Sequence, residues 1–182
     1  KMAFNMCERL KSVTISNTVQ TIGERAFGSC KVLSSVYFGN HVTTIESSAF
    51  TYCDLKSLAL PESLVTISSS AFYGCTSIST IKIPSQVQNI GNMAFSGIYS
   101  LTKFTVDSKN KYFAAKDGVL YSKDLTTLVA YPSSKADSKF TIPNTVVKTS
   151  DYSFCWAKNL QEVTIPGSMS SIGYGTFAYC SK

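Results

Sequence analysis

The chain repeats itself about every 23 residues, and that period restricts the possible folds more than any other feature. An Ala-Phe or equivalent pair marks the copies: Ala3-Phe4, Ala26-Phe27, Ala49-Phe50, Ala71-Phe72, Ala94-Phe95, Ser153-Phe154 and Thr176-Phe177. The Phe positions are separated by 23, 23, 22, 23, 59 and 23 residues. A unit this short cannot bury its own apolar face, so it must stack on its neighbours in a solenoid.

Each unit opens with an apolar trio such as Leu10, Val13, Ile15 or Ile78, Ile81, Ile83. The last two of each trio alternate with polar residues, which is strand periodicity with both pointing inward. Six such openings, at Leu10, Leu33, Leu55, Ile78, Leu101 and Leu160, predict a parallel sheet along one flank. Pro61, Pro84, Pro143 and Pro166 follow that strand, where a missing N–H ends the ladder at little cost. Pairs such as Val42/Ile45 and Leu64/Ile67 supply inward positions on the opposite wall. Gly23, Gly91 and Gly173 come next and suit a tight corner. The segment around Ala-Phe is too short for an independent helix, so one helical or 3₁₀ turn held by packing is expected there.

The aromatic row from Phe4 to Phe177 reads as a core spine. Cys7, Cys30, Cys53, Cys75 and Cys180 each fall three residues after the repeat Phe and form a second ladder. Coils stacked roughly 4.7–5 Å apart hold parallel Cβ atoms too far apart for a disulfide, which needs about 3.8 Å. A straight line of ligands cannot surround a tetrahedral metal. Free buried thiols acting as small apolar fillers are the expectation. Cys155 lies off the ladder beside Trp156 and is either an exposed thiol or a packing residue.

Between Phe95 and Phe154 the register breaks, with 36 residues beyond one period. Asp107-Ser-Lys-Asn-Lys is polar and turn-like, and Gly118-Val-Leu-Tyr and Leu128-Val-Ala-Tyr read as two strands. A β-hairpin projecting from or capping the solenoid is one reading. A degenerate extra coil, based on Leu125 to Ala130, is the other. The domain division is a single solenoid over 1–182, with N-terminal repeats 1–106, a hairpin insertion 107–139 and C-terminal repeats 140–182.

The unit V-x-x-I-G-x-x-A-F-x-x-C resembles the BspA-type leucine-rich repeats of bacterial and some protozoan surface proteins. Five copies carry both Phe and Cys in register, and Asp117 to Pro132 is similar to an insertion that recurs in that family. Departures are local: Ile98 and Ala157 replace the Cys, Ser153 and Thr176 replace the Ala, and Thr149 replaces the Ile. The resemblance implies a leucine-rich-repeat fold and a cell-surface or secreted adhesion or protein-binding role. The chain begins and ends inside a repeat, which suggests a piece of a longer protein.

Function classes narrow further from the residues. The one histidine, His41, lies in a corner turn without a neighbouring nucleophile, and no Walker or dinucleotide glycine motif is present, so no enzyme and no cofactor are expected. A net charge of +6 invites a nucleic-acid reading, but only two of the 17 basic residues are arginine and aspartates interleave the lysines around the insertion, so none is expected. No run of 18 apolar residues exists, so no membrane insertion is expected either.

Surface binding remains. On the strand flank the outward residues are mostly small hydroxyls, with Glu162 as an acidic exception and Tyr37, Lys82 and Lys103 as the binding candidates. Tyr112, Phe113, Tyr121 and Tyr131 in the insertion are aromatics that no repeat rule demands, and Lys116 accompanies them. These eight are the candidate ligand-binding residues; the aromatics can instead form the insertion's own core. The partner class is a protein, such as a host matrix or plasma protein. The competing uses are a structural spacer or a glycan-binding module acting through the insertion.

Overall fold

The computed structural model describes residues 1–180. Among these residues there are fourteen short strands and no helix. The first eight are β1 (Ser12–Thr14), β2 (Thr21–Ile22), β3 (Ser35–Tyr37), β4 (Thr44–Ile45), β5 (Thr66–Ile67), β6 (Thr80–Ile83), β7 (Asn89–Ile90) and β8 (Lys103–Val106). They are followed by β9 (Phe113–Lys116), β10 (Val119–Ser122), β11 (Thr127–Ala130), β12 (Lys139–Thr141), β13 (Lys148–Thr149) and β14 (Glu162–Thr164). The chain coils as a parallel solenoid of about seven turns.

The strand flank is not one sheet but three parallel pairs, β1-β3, β6-β8 and β12-β14. One break falls at Lys56–Leu60, in the one 22-residue coil, where a residue is missing between Cys53 and Leu55, and the other at the insertion between β8 and β12. Shortening that corner changes how the chain enters the flank. Leu58 and Leu60 still point inward, but no ladder forms. The opposite wall is more continuous, because Thr21, Thr44, Thr66 and Asn89 align in β2-β4-β5-β7.

The third flank corrects the expected helical turn. Residues two before and two after each Phe are left-handed: Arg25 and Ser29 (φ 51° and 58°), Ser48 and Tyr52 (57° and 54°), Ser70 and Gly74 (57° and 72°). A helix cannot pass through residues of that hand. The N–H of Phe27 instead donates to Ala49 O (2.8 Å) of the next coil, and that of Phe50 to Ala71 O (2.8 Å). The intervening amides close single turns, such as Gly28 N–H to Arg25 O (3.1 Å). Each left-handed non-glycine residue costs about 1–2 kcal/mol. Pairing with the next coil keeps these buried amides from being orphaned, which would cost a comparable amount.

Rings stack along the axis of this coil. Phe4–Phe27, Phe27–Phe50, Phe50–Phe72 and Phe72–Phe95 centroids lie 5.3, 5.2, 5.5 and 6.0 Å apart, all nearly parallel. Gly91 and Gly173 answer a need other than the expected corner. A Cβ on Gly91 would lie 2.4 Å from Ser69 N, and one on Gly173 2.6 Å from the Ser150 carbonyl carbon, so both let neighbouring coils approach.

The insertion is neither a projecting hairpin nor a simple extra coil. Strands β9, β10 and β11 form an antiparallel run, turned between β9 and β10 at Asp117-Gly118. Leu120 of β10 joins the core of the N-terminal coils, whereas Val119 and Tyr121 join that of the C-terminal coils. The strand is a partition, and its alternation serves two cores at once. β11 then pairs parallel with β13 as an ordinary coil would. Tyr131 takes the place of the repeat Phe: its N–H donates to Ser153 O (2.7 Å) and its ring stacks on Phe154 at 4.9 Å. Both sequence readings of this segment are therefore partly right.

Candidate interaction surfaces

On the strand flank, Tyr37 is 63% exposed and pairs in register with Thr14. Lys82 and Lys103 point outward from β6 and β8. Lys82 Nζ lies 3.2 Å from Asp107 Oδ2 and 3.6 Å from Glu62 Oε1. Its pKa is raised chiefly by the Asp107 hydrogen bond, while the Asp107 carboxyl is held low first by the Lys109 N–H and then by Lys82. Lys135 pairs with Asp137 and Lys139 with Glu162, both at 2.6 Å. Among the described residues these pairs offset the charge of Lys82, Lys135 and Lys139 locally.

The insertion contributes less surface than its composition suggests. Phe113, Tyr121 and Tyr131 are buried and present nothing to a partner, which corrects their place among the binding candidates. Tyr121 is buried by the partition role of β10 and Tyr131 by its place in the ring stack, while Phe113 of β9 joins the core of the N-terminal coils. Burial pushes the Tyr121 hydroxyl up to about 12. Tyr112 and Lys116 remain exposed, and Lys116 precedes the turn whose Gly118 packs against Lys103. Asn110, read as part of a polar turn, is buried. Its Nδ2 donates to Pro84 O (2.7 Å) and Val87 O (3.0 Å), and its Oδ1 accepts from the N–H groups of Tyr112 and Phe113 (both 2.8 Å). One side chain thereby ties the start of the insertion to the preceding coil.

All six cysteines are free. The ladder thiols of Cys30, Cys53 and Cys75 donate to the carbonyls of Phe4, Phe27 and Phe50 in the preceding coil, each at 3.1 Å. They are hydrogen-bonded linkers as well as fillers. Cys155 is 3% exposed, so the exposed-thiol reading fails, and burial raises its pKa to about 11.

A further surface lies on the turn flank, outside the residues that the sequence marks as candidates. Tyr52 and Tyr73 meet edge to face at 5.3 Å, Tyr99 and Trp156 likewise at 5.3 Å, and Trp156 stacks on Tyr179 at 4.6 Å. These aromatics occupy positions one, two or four residues after the repeat Phe or its equivalent. A scan of the two slots between Phe and Cys would have found most of them. Asn92 Nδ2 bridges to Asp151 Oδ2 at 2.9 Å, and Lys158 Nζ reaches Tyr99 O at 3.1 Å, joining the two halves on the same side.

Comparison with known proteins agrees with this geometry. The model of the BspA type leucine rich repeat region matches six copies, over residues 1–117 and 130–182. No curated protein sequence matches. A leucine-rich repeat protein from Eubacterium ventriosum is 34% identical with a TM-score of 0.93, covering 97% of this chain and 47% of that one. A leucine rich cell surface protein from Faecalibacterium prausnitzii is 32% identical (TM-score 0.76; 96% of this chain, 53% of that one). The pneumococcal vaccine antigen PcpA is 27% identical (TM-score 0.72; 93% and 48%). The chain spans about half the length of these three structures. With its repeat unit, its coil-on-coil stacking and the family model over nearly its whole length in agreement, the chain belongs to the BspA-type leucine-rich repeat family.

Proposed function

We propose that this chain is a non-catalytic protein-interaction module of a cell-surface protein, and that its partner is an extracellular host or matrix protein. The observation that carries the reading is the strand flank, where short parallel pairs hold Tyr37, Lys82 and Lys103 outward on a rigid coil. A preformed solenoid of this kind presents a large surface without a backbone-folding cost on binding. Tyr112 and Lys116 extend the surface at the insertion. The cell-surface setting is supported by the family and by a neighbour named as a leucine rich cell surface protein.

The test is binding of the purified chain to immobilised matrix and plasma proteins at low and physiological salt. Saturable binding that survives physiological salt and weakens in Tyr37→Ala, Lys103→Ala or Tyr112→Ala supports the reading. Binding that salt abolishes, or that none of these variants changes, refutes this surface. No binding to any protein leaves a spacer role as the better account.

A further inference from the structure

The turn flank carries a groove of about 310 Å³ in front of Tyr52, lined by that ring with Tyr73, Asn5, Arg25, Ser29 and Ser48 among others. Its chemistry differs from the strand flank. The Tyr52 ring is locked from behind: a Cβ on Gly74 of the next coil would lie 2.6 Å from Tyr52 Cδ1, so only a glycine lets the ring lie there. The Tyr73 ring meets it edge to face, and Thr51 Oγ1 ties the same turn to Tyr73 O at 3.2 Å. The equivalent position in the preceding coil is Ser29, too small to cover the ring, and a second depression beside the ring is lined by Ser29, Tyr52 and Gly74. Tyr52 is 54% exposed in consequence.

We propose that this groove is a carbohydrate-binding site, in which the free face of Tyr52 receives the flat C–H face of a pyranose residue. Pre-ordered ring and backbone pay little entropy on binding. Around the ring stand hydroxyl and amide groups able to exchange hydrogen bonds with sugar hydroxyls, and the exposed Arg25 carries a single positive charge. A protein hot spot is the other reading of an exposed Tyr beside an Arg, but hot spots sit in well-packed, fully desolvated pockets in which Ser and Thr are under-represented. The lining here is chiefly hydroxyls, with Met6 as its one aliphatic side chain. The site lies outside the insertion and does not depend on protein binding by the strand flank.

The experiment uses saturation-transfer NMR and calorimetry on the purified chain with methyl galactoside, methyl glucoside, N-acetylglucosamine and N-acetylneuraminic acid. At least one is expected to bind with transfer strongest to its ring C–H protons. Tyr52→Ala should weaken it by about tenfold or more, equivalent to about 1.4 kcal/mol. Tyr52→Phe should bind within about threefold of the parent, because the ring face and not the hydroxyl makes the contact. Ser29→Tyr, which covers the free face without removing the ring, should also abolish binding, and Tyr112→Ala should leave it unchanged. Circular dichroism of each variant separates loss of the site from loss of the fold. No binding by any of the four sugars, binding that Tyr52→Ala leaves intact, or a protein partner that needs Tyr52 after its glycans are removed would each overturn the proposal.

Discussion

Two departures from the repeat face one another in the core, and their replacement tests whether they compensate. Thr149 stands where other coils have Ile, and Thr176 where they have Ala; both are buried. Thr176 Oγ1 donates to Gly173 O at 2.7 Å, Thr149 Oγ1 lies 3.0 Å from Thr176 Oγ1, and Gly173 N–H donates to Thr149 Oγ1 at 2.9 Å. One assignment satisfies every hydrogen: Thr149 donates to Thr176, which donates to Gly173. In a regular coil the corresponding amide, Gly91 N–H, goes to the backbone carbonyl of Ile67 at 2.8 Å. Thr149→Ile with Thr176 retained leaves Gly173 N–H without its acceptor, at a cost of about 1–3 kcal/mol. Thr176→Ala strands the Thr149 hydroxyl and frees Gly173 O, for a similar about 1–3 kcal/mol. The double change Thr149→Ile with Thr176→Ala restores the pair that packs in the other coils, so it should cost no more than either single change. Urea unfolding followed by circular dichroism, with slope and midpoint compared across all variants, reads this directly. Costs that simply add to within about 0.5 kcal/mol would refute the coupling.

Truncating the centre of the ring stack should cost more than truncating its end. Phe50→Ala, at a fully buried ring held between Phe27 and Phe72, should lose about 3–5 kcal/mol, whereas Phe4→Ala, half exposed, should lose roughly half as much by the same assay. Asn110→Ala removes the acceptor of two amides and the donor to two carbonyls, and should lower stability by at least about 2 kcal/mol in urea unfolding. The buried thiols set an alkaline limit. Burial, then the neighbouring Cys30, pushes Cys53 from 9.0 up to about 12, so its folded form stays protonated while the unfolded chain ionises. Its contribution to stability is therefore complete below about pH 8.5 and declines as pH rises from there towards 12. Urea midpoints should fall across that window, and at pH 9 iodoacetamide should label the half-buried Cys7 long before the buried Cys53 or Cys75. Equal labelling rates would contradict the burial of the ladder.

Much of the binding-site reading was not legible from residue types. Phe113, Tyr121 and Tyr131 stood out because no repeat rule placed them, and that same irregularity let them fill a gap that the repeat leaves. Tyr131 reaches the ring stack only because β11 has taken a coil's place beside β13. Tyr52 and Tyr73 keep repeat phase and so carry no mark in the sequence, although their positions two and one residues after a Phe put them on the turn flank. Asn110 shows the same limit: a polar residue in a polar stretch gives no sign that it will be buried until its four partners in space are known.

What the sequence by itself determined is whatever repeats: the period, the inward apolar positions, the row of stacked rings and the thiol ladder. Those follow because identical units placed one above another bring identical positions together, so spacing along the chain becomes contact in space. The tertiary structure decided the rest. It set left-handed turns in place of a helix, because inter-coil hydrogen bonds outweigh a local turn preference. It broke the strand flank at the shortened coil, drew the insertion inward between two cores, and matched Thr149 to Thr176. Each of these depends on which neighbour lies across the next coil, and residues 22 to 59 apart along the chain carry no local sign of that meeting.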